Sequence, residues 1–177
     1  MLVSRYHGTE GLSQLYRFEI DLVAEDADVS LDDSVGRPAV LSMFTPHGDR
    51  WVHGIVARIA HLGETVGQTY YRVELVPALW LLTHRYQSRI FQGQNVLEII
   101  SAVLAQAGFP ADYLNTECVA PDAHLPREYC VQYRETDFNF ISRLLEDEGI
   151  FYRFEQTETG HQMVLAESRE AYQPIAG

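Results

Sequence analysis

Side chains that alternate between apolar and polar through the first half of the chain leave it little choice but β-sheet. In "LYRFEIDLVAE", Tyr16, Phe18, Ile20 and Leu22 fall on one side and Arg17, Glu19 and Asp21 on the other. That period of two belongs to a strand with one dry face. "TYYRVELVP" repeats it, with Tyr71, Val73 and Leu75 opposed to Arg72 and Glu74. Between these segments lie a short strand "AVLSMFT", a turn at "PHGD", and "RWVHGIVARIAHL", a long strand apolar on both faces with Gly54 placed to form a bulge. "GETVGQ" reads as a hairpin loop and "AEDADVSLDDSVGRP" as an acidic, apolar-poor connection. Strands joined by short turns, without helices between them, predict an antiparallel sheet that curls into a sandwich or barrel.

Beyond Pro77 the pattern changes. Proline suits a first helical position, so one turn of helix is expected through "ALWLL", followed by extended "YQSRIFQG". "NVLEIISAVLAQAG" is a helix: Asn95 caps it with Glu98 three residues on, Val96, Ile99, Ile100, Val103, Leu104 and Ala107 form its stripe, and Gly108 and Pro110 end it. "ADYLNTECVAPDAHLP" reads as loop, because Pro121 and Pro126 exclude a regular helix. "EYCVQYR" alternates, with Tyr129, Val131 and Tyr133 on one side. A second helix follows, capped by Thr136, with Asp137 in its first turn, Phe138, Ile141, Leu144 and Leu145 as its apolar face, and Gly149 at its end. "IFYRFE" and "QMVLAE" pair across "QTETGH". The class is α+β, mainly antiparallel β, with a first lobe over 1–85, a second over 86–177, and helices near 95–107 and 137–148.

The chain's 13 basic residues face 25 acidic ones, a formal net charge of −12 over 177 residues. Such a surface repels phosphate backbones and argues against non-specific nucleic-acid binding. No apolar run reaches the ~18 residues of a spanning helix, and "MLVSRYHGTEGL" lacks the basic and apolar regions of a secretory signal. The expectation is a chain that begins in the cytoplasm without a membrane anchor. Two cysteines make no disulfide framework, and Cys118, His124 and Cys130 match no usual zinc spacing. Two small buried or half-buried thiols are the expectation, with no metal and no cofactor.

Carboxylates crowd the second helix: Glu135, Asp137, Glu146, Asp147 and Glu148. The last three are consecutive, splay over about 200° of a helix and cannot converge on one substrate. They sit at the helix C-terminus, where the dipole disfavours negative charge, and Arg143 offsets part of that cost. An acid-dependent hydrolase using Asp137 and Glu146 is the enzymatic alternative. The expected arrangement is instead a solvated helix face, all the carboxylates in water. No G-x-S-x-G, P-loop, H-E-x-x-H or G-x-G-x-x-G occurs. His7, His47, His53, His61, His84, His124 and His161 are scattered. His53 and His61 are about 27 Å apart along a strand, too far to share a metal. Strand aromatics stand out instead: Tyr70, Tyr71, Tyr129, Tyr133, Phe151, Tyr152 and Phe154. They read either as core or as a face covered by another subunit.

"YCVQYRETDFNFISRLLEDEGIFYRFE" closely resembles a signature segment of the VgrG proteins, the spike or tip proteins of type VI secretion systems, which are similar to the baseplate hubs of contractile phage tails. The resemblance extends through "SQLYRFEIDLVAED", "VHGIVARIAHLGE" and "YYRVELVPALWLLTHRYQSRIFQGQNVLEIISAVL" to "LAESREAYQPIAG", covering nearly the whole chain. It implies a hub of two β-barrel-like lobes with inserted helices, the second left incomplete at Gly177. It also implies a homotrimer in the full-length protein, seated on a hexameric tube protein, that acts mechanically and leaves through the apparatus it caps. Effectors or a tip-capping protein would join through C-terminal regions. A phage or prophage baseplate hub is the same-class alternative. The resemblance carries no catalytic residues. Those with a structural part are Asn95, Gly108, Thr136, Phe138, Ile141, Leu145 and Gly149.

Overall fold

Strand pairing follows the alternation. The computed structural model describes residues 1–25, 29–46 and 48–168. His47, part of the acidic connection and the end of "LAESREAYQPIAG" lie outside the described residues. Strands β1 (Leu2–Thr9), β2 (Arg17–Ala24), β3 (Pro38–Met43), β4 (Arg50–Thr65) and β5 (Gln68–Val76) form one antiparallel sheet in the order β1-β2-β5-β4-β3. Its inner face carries Tyr16, Phe18, Ile20, Leu41, Val52, Tyr71, Val73 and Leu75, all buried. In the acidic connection, Ser30 caps a one-turn helix α1 (Leu31–Ser34).

The outer face is an ionic lattice set by register. Asp21 lies opposite both Arg5 and Arg72, and Arg72 grips it with two bonds of 2.7 and 3.0 Å. That grip holds the Asp21 carboxyl below the usual carboxylate range. Arg17 reaches Glu74 at 2.5 Å. Every one of the chain's 13 basic residues is an arginine.

Gly54 is not a bulge. It pairs in regular register with Ala39, and the bulges of β4 against β5 fall at Ala57 and Leu62. The glycine is required by closeness instead: a Cβ there would lie 2.3 Å from the carbonyl oxygen of Val76. Gly54→Ala is therefore expected to destabilise by about 1–3 kcal/mol, as overpacking does. Urea unfolding checks this, and a loss under about 0.5 kcal/mol would contradict so close an approach. The β4–β5 hairpin closes through Val66–Gly67 alone, since Thr65 pairs with Gln68 and Gly67 has φ 77°. Four of the six residues expected as loop are thus ladder ends.

The chain divides into two compact units, 1–78 with 156–160, and 79–155 with 161–177. In the first, Gln156 Oε1 accepts from His53 N at 2.9 Å.

The second unit opens with a 3₁₀ helix, Ala78–His84, where the proline signal placed a helical turn. Then come β6 (Tyr86–Phe91), α2 (Val96–Gln106), β7 (Leu114–Cys118), β8 (Cys130–Thr136), α3 (Asp137–Asp147), β9 (Phe151–Gln156) and β10 (His161–Ala166). β6 and β8 make an antiparallel ribbon, and β7, β10 and β9 a three-stranded sheet in that order. β7 was expected as loop. Its five residues instead run parallel to β10, a non-local pairing that local patterning does not report.

Asn95 caps α2 through both arms of a capping box, at 2.9 and 2.8 Å. Gly108 and Gly149 follow the two helices with φ 89° and 70°, a left-handed turn that glycine enters without Cβ strain. Val96, Ile99, Ile100, Val103 and Leu104 of α2 are buried, as are Phe140, Ile141, Leu144 and Leu145 of α3. Phe138 is only half-buried. The stripe runs through 137, 140, 141, 144 and 145, so Phe140 takes the core position assigned to Phe138 and stacks on Phe91 at 5.7 Å.

Candidate interaction face and its ionic base

Asp137 is 0% exposed and does not remain in water. It begins α3, where its backbone N–H donates to the Arg85 carbonyl at 2.8 Å and Thr136 Oγ1 accepts from Asn139 N at 3.1 Å. Arg89 donates to one carboxylate oxygen, Arg85 lies 3.3 Å from the other, and the Gln132 amide donates at 2.9 Å. Arg89 also donates to Gln132 Oε1 at 2.7 Å and to the Gln106 side chain. Arg85 donates twice to the Gln106 carbonyl at 3.2 Å. One buried carboxylate thus ties β6, β8, the end of α2 and the start of α3 together.

That base decides which way the ribbon faces. Gln132 must point inward to serve Asp137 and Arg89, and it is 0% exposed, with Cys130 on the same side. The period of two then sends Tyr129, Val131 and Tyr133 outward. They are 60%, 46% and 66% exposed, and Tyr86 and Ile90 of β6 join them at 69% and 61%. Ile90 lies directly opposite Val131, and Ser88 opposite Tyr133. The side read as apolar in the sequence is therefore the outer one. Arg134 sits in a bulge with φ 50°, unusual for a side-chain-bearing residue, donates its N–H to Ser88 Oγ at 3.1 Å, and lays its guanidinium over Tyr133 at 5.3 Å. Tyr70 is half-buried, while Tyr71 and Tyr152 lie in the cores.

The remaining acids do not form an active pair. Glu146 is exposed and lies nine residues along α3 from Asp137, a rise of about 13 Å, beyond the ~9.5 Å limit for an inverting carboxylate pair. Asp147 is exposed. Glu135 takes Arg143 at 2.8 Å, and Arg143 also donates to the Val131 carbonyl at 2.7 Å.

Glu148 joins a second cluster. Buried His124 sets Nδ1 against Glu148 at 2.8 Å and Nε2 against Glu167 at 3.0 Å, while Arg127 grips Glu148 at 2.6 Å and the Ala120 N–H donates to Glu167 at 3.0 Å. Only an imidazolium donates from both nitrogens. Glu148, then Glu167, raise the His124 pKa. Arg127, then His124, depress that of Glu148, and the Ala120 N–H, then His124, that of Glu167.

The histidine's contribution to stability is complete below its unfolded pKa of about 6.5 and is lost as pH rises through the raised folded value. The glutamates' contribution is present above their unfolded pKa of about 4.3 and is lost as pH falls through the depressed values. Unfolding free energy should therefore fall on the alkaline side by at most about 1.4 kcal/mol per pH unit, and His124→Gln should remove that slope. Urea titrations from pH 5 to 9 read both. With His124 so engaged, the Cys118–His124–Cys130 set offers no ligand cluster. Cys130 is buried, Cys118 half-buried, and no group of three or more metal-binding side chains occurs among the described residues.

Residues 9–177 match the family model described as phage tail baseplate hub (GPD). The chain belongs to that baseplate hub family. Within it, the chain is 41% identical to the type VI secretion system spike protein VgrG1a of Pseudomonas aeruginosa, over all of this chain and 27% of that protein. It is likewise 41% identical to VgrG1c of the same organism, over 99% of this chain and 24% of that one. It is 32% identical to the actin cross-linking toxin VgrG1 of Vibrio cholerae, over 97% of this chain and 16% of the toxin. The hub chain thus spans about a quarter of the length of the first two relatives, and less of the toxin. Its fold superposes with TM-score 0.88 and 25% identity on the E. coli c3393 protein, a component of the type VI secretion system with structural similarity to T4 bacteriophage tail proteins gp27 and gp5, covering 96% of this chain and 46% of that one. A tail protein from Neisseria meningitidis shares the fold at TM-score 0.61 and 12% identity, over 96% of this chain and 47% of that one.

Proposed function

We propose that this chain is the hub region of a type VI secretion spike, assembling on a tube and acting by position and rigidity without turnover. The observation that carries the reading is 41% identity over the whole chain to a spike protein, on a fold matched at TM-score 0.88 by a secretion-system component. The physics agrees: Asp137, one of the two acids of the enzymatic alternative, is bound into ion pairs with Arg85 and Arg89 that brace strands and helices. In this reading the chain is made in the cytoplasm, trimerises as part of a longer protein, seats on a hexameric tube protein and leaves through the machine. Effectors or a tip-capping protein join through other regions. A phage or prophage baseplate hub is the alternative, favoured by the description of the matching family as a phage tail baseplate hub.

A chimera tests the reading. Substituting this chain for the matching segment of VgrG1a in Pseudomonas aeruginosa, the amount of tube protein released to the medium is measured. Export near the parental level is expected. A soluble chimera expressed at the parental level that exports none would sink the proposal.

A further inference from the structure

Between the end of β7 and the start of β8 the chain crosses the ends of two other elements. Backbone bonds pin this crossing at both ends. Val119 N donates to the Thr116 carbonyl at 3.0 Å, Arg127 N to the Gln94 carbonyl at 2.9 Å, and Gly93 N to the Arg127 carbonyl at 2.9 Å. From Ala120 to Pro126, His124 is the one buried side chain among the described residues, 7% exposed beside Leu125 at 77%. Its ring spans two carboxylates from elsewhere in the same unit: Glu148 at the C-terminal cap of α3, and Glu167 directly after β10. The Ala120 N–H donates to the other oxygen of Glu167 at 3.0 Å.

We propose that residues 120–126 are a strap that one proton on His124 holds shut across the ends of α3 and β10. The imidazolium donates from both nitrogens, at 2.8 and 3.0 Å. A neutral ring carries a single N–H, so its other nitrogen would set a lone pair against a carboxylate oxygen. One bond is lost and a repulsion gained where water does not reach. Charge acts in the same direction. Arg127 grips Glu148 at 2.6 Å and lies 3.7 Å from Asp147, and the Cys130 thiol at the start of β8 is the other titratable group acting on Arg127. Two cations thus stand among three carboxylates while the strap is shut, and only Arg127 remains once the proton leaves. The freed middle then swings out between its pinned ends and takes the Ala120 N–H off Glu167. Because the glutamates raise the His124 pKa, the strap is shut below about pH 6.5 and opens as pH rises through the raised value. Glu148 and Glu167 are depressed, so the strap opens on the acid side only as pH falls through their lowered values. Above the histidine's pKa, each pH unit lowers the ratio of shut to open by up to about tenfold. This opening is local: it precedes unfolding of the unit and leaves α2 and α3 in place. It holds whichever machine the hub serves.

Amide hydrogen exchange of the full chain from pH 6 to 9, followed residue by residue by NMR and corrected for intrinsic exchange, tests the strap. Protection of the Ala120 amide should fall by at least about 10-fold across that range, while Ile99 and Ile100 of α2 change little. Nitrogen spectra of the rings should show His124 doubly protonated at pH 6. His124→Gln should abolish the pH dependence at Ala120. Glu167→Gln keeps an acceptor for the Ala120 N–H but removes one carboxylate that favours the imidazolium, so the opening should move to lower pH. Unchanged circular dichroism confirms that the variants fold, and the pH series on the unaltered chain decides the matter without them. Ala120 protection that stays constant from pH 6 to 9, a fall shared equally by α2, or a neutral His124 ring at pH 6 would each overturn the proposal. The spike reading stands or falls separately, on tube-protein export.

Discussion

Asp137→Ala should cost about 3–5 kcal/mol of unfolding free energy, among the largest single-site losses in this chain. The carboxylate is fully buried between Arg85 and Arg89 and is served by Gln132. Its removal leaves two arginines and an amide facing an uncompensated void, whereas its presence balances their desolvation. Urea unfolding at pH 7 with intact ribbon controls reads the loss. Replacing the carboxylate together with its nearest cation, Asp137→Leu with Arg89→Met, should recover much of it, because well-packed apolar groups often replace a buried pair at little cost. If Asp137→Ala loses less than about 1 kcal/mol, the network is not what holds α3 to the ribbon.

Phe140→Ala should cost about 3–5 kcal/mol, against about 1 kcal/mol or less for Phe138→Ala. The two aromatics are two residues apart, yet only Phe140 is completely buried and stacked on Phe91. Parallel thermal melts compare them directly. Equal losses would mean that the helix face runs as the sequence suggested, through Phe138.

That pair shows where sequence reading stops. A helix was legible in "TDFNFISRLLEDEG" from its cap, its spacing and its terminal glycine, and the structure has that helix with Thr136 as cap. Which of two phenylalanines enters the core depends on the phase of the helix against its neighbours. Asp137 fixes that phase by its burial, and nothing local announces that an aspartate will be buried. The same limit applies to "EYCVQYR". Alternation divides its side chains correctly into two sets, but the inward set is the one holding Gln132, which distant Arg89 and Asp137 require. Gly54 was legible as special and misread as to cause, since the oxygen it approaches belongs to Val76 on the next strand. The first sheet was the easier case at β2 and β5, where alternation along each strand states which side is dry; β1, exposed almost throughout, carries no such signal.

The all-arginine lattice has a chemical consequence. With no lysine in the chain, no side-chain primary amine exists to be acylated, and apart from histidine every cationic side chain in the ion pairs is a guanidinium that stays protonated past pH 12. Amine-directed fixatives and cross-linkers have no side chain here to grip, while the 25 carboxylates make carbodiimide coupling the reagent class suited to trapping its assemblies. Alkaline conditions below that point likewise leave the guanidinium charges in place, so what loosens first on raising the pH is the imidazolium of His124.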